Sequence, residues 1–199
     1  MKKKAVFLDR DGVINEIVYH KEMGILDSPF TPDQITIFPH VGDAINKFKD
    51  LGFLVIIVSN QPGIAKDKFD FKTFDSMKEK LRVELKKQNS EVDAEYYCIH
   101  HPHGKIKKYT LVCNCRKPKP GMILQAAEEH NIDLKESWMI GDGITDIQAG
   151  VASGCRTILI GRMKCDLCNL MEDVGVKPDF IAPNLYKASL IIENNHRDG

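Results

Sequence analysis

Asp9 and Asp11 stand two residues apart where the apolar run Ala5-Val6-Phe7-Leu8 gives way to Asp9-Arg10-Asp11-Gly12. Two carboxylates this close repel unless a cation lies between them. Their oxygens, joined by Asp142 in Gly141-Asp142-Gly143, form the hard donor set that Mg²⁺ takes. A charged turn capping a strand is the plainer reading of an Asp-x-Asp pair taken alone. Ser59 and Lys117 alter that balance, because they recur at the same predicted edge of the fold.

A second constellation is built from soft ligands. Cys98-Ile99-His100-His101-Pro102 and Cys113-Asn114-Cys115 flank a polar loop that carries Lys105, Lys107 and Lys108. Thiolate and imidazole are what Zn²⁺ prefers in a closed tetrahedral site, and Cys98, His100, Cys113 and Cys115 supply four such ligands. His101 and His103 are left over. Such a loop cannot bury a core of its own, so a metal staple is the expected substitute. Cys165 and Cys168 form a lone C-x-x-C, read as buried or incidental thiols, and Cys155 reads as core.

Placing these groups requires alternating elements. Strands are expected at Ala5–Leu8, Phe53–Val58, Glu95–Ile99, Trp138–Ile140, Thr157–Ile160 and Asp179–Ala182. Helical periodicity marks Val41–Leu51, Phe71–Gln88, Gly121–His130, Ile144–Ser153 and a last segment from Leu185. The pattern predicts an α/β fold, a doubly wound three-layer parallel sheet, with residues 1–199 as a single domain. Sites in such sheets lie beyond the carboxyl ends of the strands. Asp9, Ser59, the loop after Cys98, and Asp142 each follow or end a predicted strand. Residues 16–40 and 100–118 fit no regular element.

Composition narrows the partners. The 199 residues carry 28 basic and 28 acidic side chains, so no net field draws nucleic acid or an anionic membrane. No apolar run approaches a membrane span, and Met1-Lys2-Lys3-Lys4 lacks the uncharged stretch of a signal peptide. The cytoplasm is the expected location and a monomer the expected state.

The motifs carry a resemblance. Phe7-Leu8-Asp9-Arg10-Asp11-Gly12, Ser59-Asn60-Gln61, Lys117 in Cys115-Arg116-Lys117-Pro118, and Gly141-Asp142-Gly143-Ile144-Thr145-Asp146 resemble, in order, the four motifs of the haloacid dehalogenase superfamily. The resemblance implies a Rossmann-like, nearly capless phosphatase. Asp9 would be the nucleophile and Asp11 the general acid and base. Ser59 and Lys117 would hold the phosphoryl oxygens, with Asn60 and Arg116 as substrate contacts. Mg²⁺ would sit on Asp9, Asp142 and the Asp11 backbone carbonyl, and Asp146 would tie Lys117 in place.

The Cys/His loop is similar to that of the heptose 1,7-bisphosphate phosphatases, with the histidinol-phosphate phosphatases as sister family. That likeness implies removal of the 7-phosphate of D-glycero-D-manno-heptose 1,7-bisphosphate, with histidinol phosphate or another small phosphomonoester as the alternative. Two departures bear on the substrate. Gly143 stands where the heptose family has a lysine, and the segment between Asn15 and Pro39 is longer than usual.

Overall fold

The computed structural model describes residues 2–161, 175–176 and 178–197; Cys165 and Cys168 lie outside them. The elements run β1 (Lys4–Leu8), β2 (Val18–His20), β3 (Ile25–Asp27), α1 (Val41–Asp50), β4 (Phe53–Asn60), α2 (Phe71–Lys87) and β5 (Ala94–Cys98). They continue with α3 (Gly121–His130), β6 (Trp138–Gly141), α4 (Ile144–Ser153), β7 (Arg156–Ile160), β8 (Phe180–Ala182) and α5 (Leu185–Arg197).

β1 is buried along almost its whole length because its alternating side chains enter two different cores. Val6 and Leu8 pack on one face with Ile45 and Phe48 of α1, Met77 and Leu81 of α2, and Ile192 of α5. Ala5 and Phe7 pack on the other with Met122, Ile123 and Ala126 of α3 and Ala149 of α4. That is the three-layer arrangement expected of continuous apolar strands. The sheet has six strands, ordered β5-β4-β1-β6-β7-β8, and every pairing is parallel.

Strand order explains where the chemistry collects. From β1 the chain crosses first to β4 on one side, and β6 later takes the other side. Leu8 pairs with Ile57 and with Ile140, and the Asp9 N–H donates to the Ile140 carbonyl at 2.9 Å. A sheet that winds both ways from its centre leaves a crevice at that reversal, and Asp9 opens onto it.

Residues 16–40, expected to be irregular, contain an antiparallel hairpin of β2 and β3 and a 3-10 turn at Pro32–Gln34. Strands of three residues are too short to show a periodic pattern, and a lone hairpin of this size is barely stable. Here it is anchored: the His20 ring stacks on Phe30 at 3.8 Å and also bonds the Ser28 carbonyl at 3.0 Å. Among the described residues no helix is long and apolar enough to cross a membrane.

Candidate active site

Lys117 is the hub of the carboxyl edge. Its buried ammonium donates to the Val58 carbonyl at 2.9 Å and lies 3.0 Å from Asp9 Oδ1 and 2.5 Å from Asp146 Oδ1. Burial by itself would lower the lysine's pKa, but the Asp146 and Asp9 charges outweigh it and the net shift is upward. Asp146 sits in the first turn of α4, where its other oxygen accepts from the Gly143 N–H at 3.0 Å. The acid therefore caps its helix and pairs with Lys117 at once, as the resemblance implies for the lysine.

Asp9, Asp142 and Asp146 bring oxygens within 4.8 Å of one another. Three carboxylates against one ammonium leave two negative charges uncompensated. Asp142 registers the strain: burial first, then the Asp9 and Asp146 charges, raises its pKa to about 7. A divalent cation with a taste for oxygen fits both the charge and the donors. Gly12, at φ +82°, lets the chain pass close by, since a Cβ there would lie 2.1 Å from Asp142 Oδ2.

The Asp11 carboxylate faces elsewhere. It accepts from Arg10 Nε and Nη2, each at 3.0 Å, from Asn15 Nδ2 at 2.8 Å and from Gln61 Nε2 at 2.6 Å. Only its backbone carbonyl is left for the cation role expected of it. Arg10, Asn15 and Gln61 are fully buried, and the sequence alone suggests no role for them. A charged or amide side chain at the end of a buried strand was the available signal, because such groups are seldom buried without a partner.

Ser59 Oγ accepts from Gln61 Nε2 at 3.2 Å at the end of β4. Asn60, expected to touch substrate, instead has its amide engaged with the backbone of Lys117. Its Nδ2 donates to the Lys117 carbonyl and its Oδ1 accepts from the Lys117 N–H, both at 3.0 Å. This pair of hydrogen bonds fixes Lys117 against the strand end.

The soft ligands also converge. Cys98, His100, Cys113 and Cys115 place one donor atom each within 4.8 Å of one another. The sulfurs lie 3.2–3.5 Å apart, and His100 Nδ1 is 3.4 Å from Cys115 Sγ. A tetrahedral ion bound at the usual Zn–S length would set its sulfurs about 3.8 Å apart, close to this packing. Burial pushes the Cys98 and Cys115 thiols up, so their ionisation there calls for a cation alongside. The cluster can hold a metal. Cys155 is buried, as expected, while His101 and His103 stay outside the group of four. Arg116, between the cluster and Lys117, donates from Nη1 to the His100 carbonyl at 3.2 Å.

Comparisons with known proteins agree with this geometry. A family model described as "HAD-hyrolase-like" matches residues 114–188, which include Lys117, Asp142 and Asp146. The chain is 39% identical over 158 residues to the D-glycero-β-D-manno-heptose-1,7-bisphosphate 7-phosphatase of Escherichia coli (strain K12), covering 79% of this chain and 78% of that one. The enzyme of the same name from Pasteurella multocida is 39% identical over 160 residues, covering 79% and 82%. Among solved structures, a D,D-heptose 1,7-bisphosphate phosphatase from B. bronchiseptica, complexed with magnesium and phosphate, superposes with TM-score 0.76 at 26% identity, covering 96% of this chain and 99% of that one. Its counterpart from Burkholderia thailandensis gives TM-score 0.65 at 25% identity, covering 96% and 99%. An identity of this level across most of both chains makes the protein a member of the heptose 1,7-bisphosphate phosphatase family, within the haloacid-dehalogenase-like hydrolases.

Proposed function

We propose that this chain removes the 7-phosphate of D-glycero-β-D-manno-heptose 1,7-bisphosphate by way of an aspartyl-phosphate on Asp9. The observation that carries the chemistry is the 3.0 Å approach of Lys117 to Asp9, beside Asp142 at the sheet's reversal point. The substrate follows from the family, whose members are named for it.

In this reading an Asp9 oxygen attacks phosphorus in line as the P–O bond to C7 breaks, so one hard displacement becomes two easier ones. Asp11 gives its proton to the departing alkoxide, then takes one from the water that cleaves the acyl phosphate and frees Asp9. Lys117 and Ser59 hold the equatorial oxygens, where transition-state charge gathers. Arg10, Asn15 and Gln61 fix the plane of the Asp11 carboxylate for both transfers. Magnesium, present with phosphate in the B. bronchiseptica structure, would be held here by Asp9, Asp142 and the Asp11 carbonyl, and supplies charge neutralisation when bound. Zinc is the ion proposed for the cysteine and histidine cluster, with a structural task. It would brace the segment that delivers Arg116 and Lys117. The proposed setting is a cytoplasmic monomer acting on a small sugar phosphate, and the zero net charge gives no field that would draw nucleic acid instead.

The test is phosphate release, with Mg²⁺, from both anomers of heptose bisphosphate and from histidinol phosphate. The expected result is a kcat/KM about a hundredfold or more higher for the β bisphosphate. A preference for histidinol phosphate would move the chain's activity to the sister family.

A further inference from the structure

Ser59 and Gln61 stand two residues apart where β4 runs out, and on an extended chain that spacing puts both side chains on one side. The Gln61 backbone is fixed by its N–H, which donates to the Cys98 carbonyl at the end of β5 at 2.7 Å. Its side chain is fully buried and spans two groups of the site at once. Gln61 Nε2 lies 2.6 Å from Asp11 Oδ2 and 3.2 Å from Ser59 Oγ. An amide NH₂ has two hydrogens, and here each has its own acceptor.

The amide can sit only this way round. An ionised carboxylate accepts and never donates, so turning the amide over would set Gln61 Oε1 against Asp11. As placed, Oε1 has no hydrogen-bond partner among the described residues, so the NH₂ contacts set the orientation. The consequence for Ser59 is a matter of counting. Its hydroxyl has one proton and two lone pairs. A lone pair takes the Gln61 hydrogen, so the hydroxyl proton cannot point back at Gln61. A phosphoryl oxygen is an acceptor, and the proton is left for it.

We propose that Gln61 is a positioning residue for Ser59: its NH₂ makes the serine hydroxyl a donor aimed at the phosphoryl oxygen, while the same NH₂ holds Asp11. The inference rests on the aspartyl-phosphate reading above. It deepens that reading by joining, through one amide, the group that holds the phosphate to the group that moves the proton. A donor oriented before the reaction needs no reorganisation as charge develops on that oxygen. Asn15 makes the contrast. Its Nδ2 grips Asp11 Oδ1 at 2.8 Å, and its other bond goes to the Glu16 carbonyl at 3.0 Å.

The experiment is a double-mutant cycle on kcat for D-glycero-β-D-manno-heptose 1,7-bisphosphate with Mg²⁺. Ser59→Ala is expected to cost about a hundredfold in wild type. In Gln61→Met, which is close in size and has no side-chain N–H, the same change should cost no more than about threefold. In Asn15→Ala it should keep its full cost, because Asn15 holds Asp11 and not Ser59. Gln61→Ala repeats the cycle, with circular dichroism checking the fold of each variant. An equal Ser59→Ala cost in wild type and in both Gln61 variants overturns the role of Gln61. Shrinkage of that cost in Asn15→Ala to the level seen in Gln61→Met overturns it too, since the coupling then runs through Asp11. A wild type that releases no phosphate overturns the functional reading, and the role of Gln61 with it.

Discussion

Lys117 Nζ lies 2.5 Å from Asp146 Oδ1, and both side chains are 2% exposed. Each ion has the other as its main compensation in a site closed to water. Asp9, 3.0 Å from the same ammonium, shares what remains.

Removing one partner therefore strands the other. Asp146→Asn keeps the shape but leaves Lys117 buried beside Asp9 alone, which is expected to cost about 3–5 kcal/mol of stability. The lysine should also drift, lowering kcat by about a hundredfold. Urea unfolding and steady-state kinetics on the same preparation check both. A variant as stable and as active as wild type would show that the pair positions nothing.

The carboxylates predict a pH dependence for the cation. With the Asp142 pKa raised from 3.8 to about 7, the folded, metal-free protein holds a proton there that the unfolded chain has already lost. Stability of the metal-free form should accordingly fall as pH rises from about 4 to 7. Mg²⁺ requires the ionised form, so its apparent affinity should drop by up to about tenfold per pH unit below 7 and level off above it. Thermal-shift titrations with Mg²⁺ at pH 6, 7 and 8 measure this directly. Equal affinity at all three would mean that Asp142 does not ligate.

Zinc makes a separate prediction. Elemental analysis should find about one zinc per chain, and Cys113→Ser should lose it. The loop from Cys98 to Cys115 would then loosen, and activity should fall although every carboxylate stays in place. Hydrogen exchange localised to residues 98–118 is the readout. A metal-free preparation with that loop fully protected would rule out the four-ligand assignment.

Arg10 carries the fourth. Its guanidinium is fully buried and bidentate on Asp11, and Lys cannot copy that planar fork. Arg10→Lys should lower kcat by about tenfold or more while leaving Mg²⁺ affinity near the wild-type value, because Asp11 does not offer its carboxylate to the cation. A loss confined to Mg²⁺ affinity would contradict the separation of these two roles.

The sheet was legible in the sequence because β1, β4 and β6 are continuous apolar runs, and helices such as α1 carry a clear 3.6-residue period closed by Gly52. The strand-end rule then placed Asp9, Ser59 and Asp142 together without any knowledge of contacts. Two things escaped. The β2–β3 hairpin depends on the stacking of His20 on Phe30, a tertiary contact with no periodic trace. The settings of Asn60 and Arg10 depend on which partner a polar group meets once buried. A motif names the residue, but only the fold decides that Asn60 bonds the Lys117 backbone and that Arg10 turns toward Asp11.

Asp9→Asn tests most directly whether Asp9 is the nucleophile. Phosphate release from heptose 1,7-bisphosphate should fall at least about ten-thousandfold in Mg²⁺ buffer, with the fold intact by circular dichroism. An Asp9→Asn enzyme that turns over within tenfold of wild type would contradict the account.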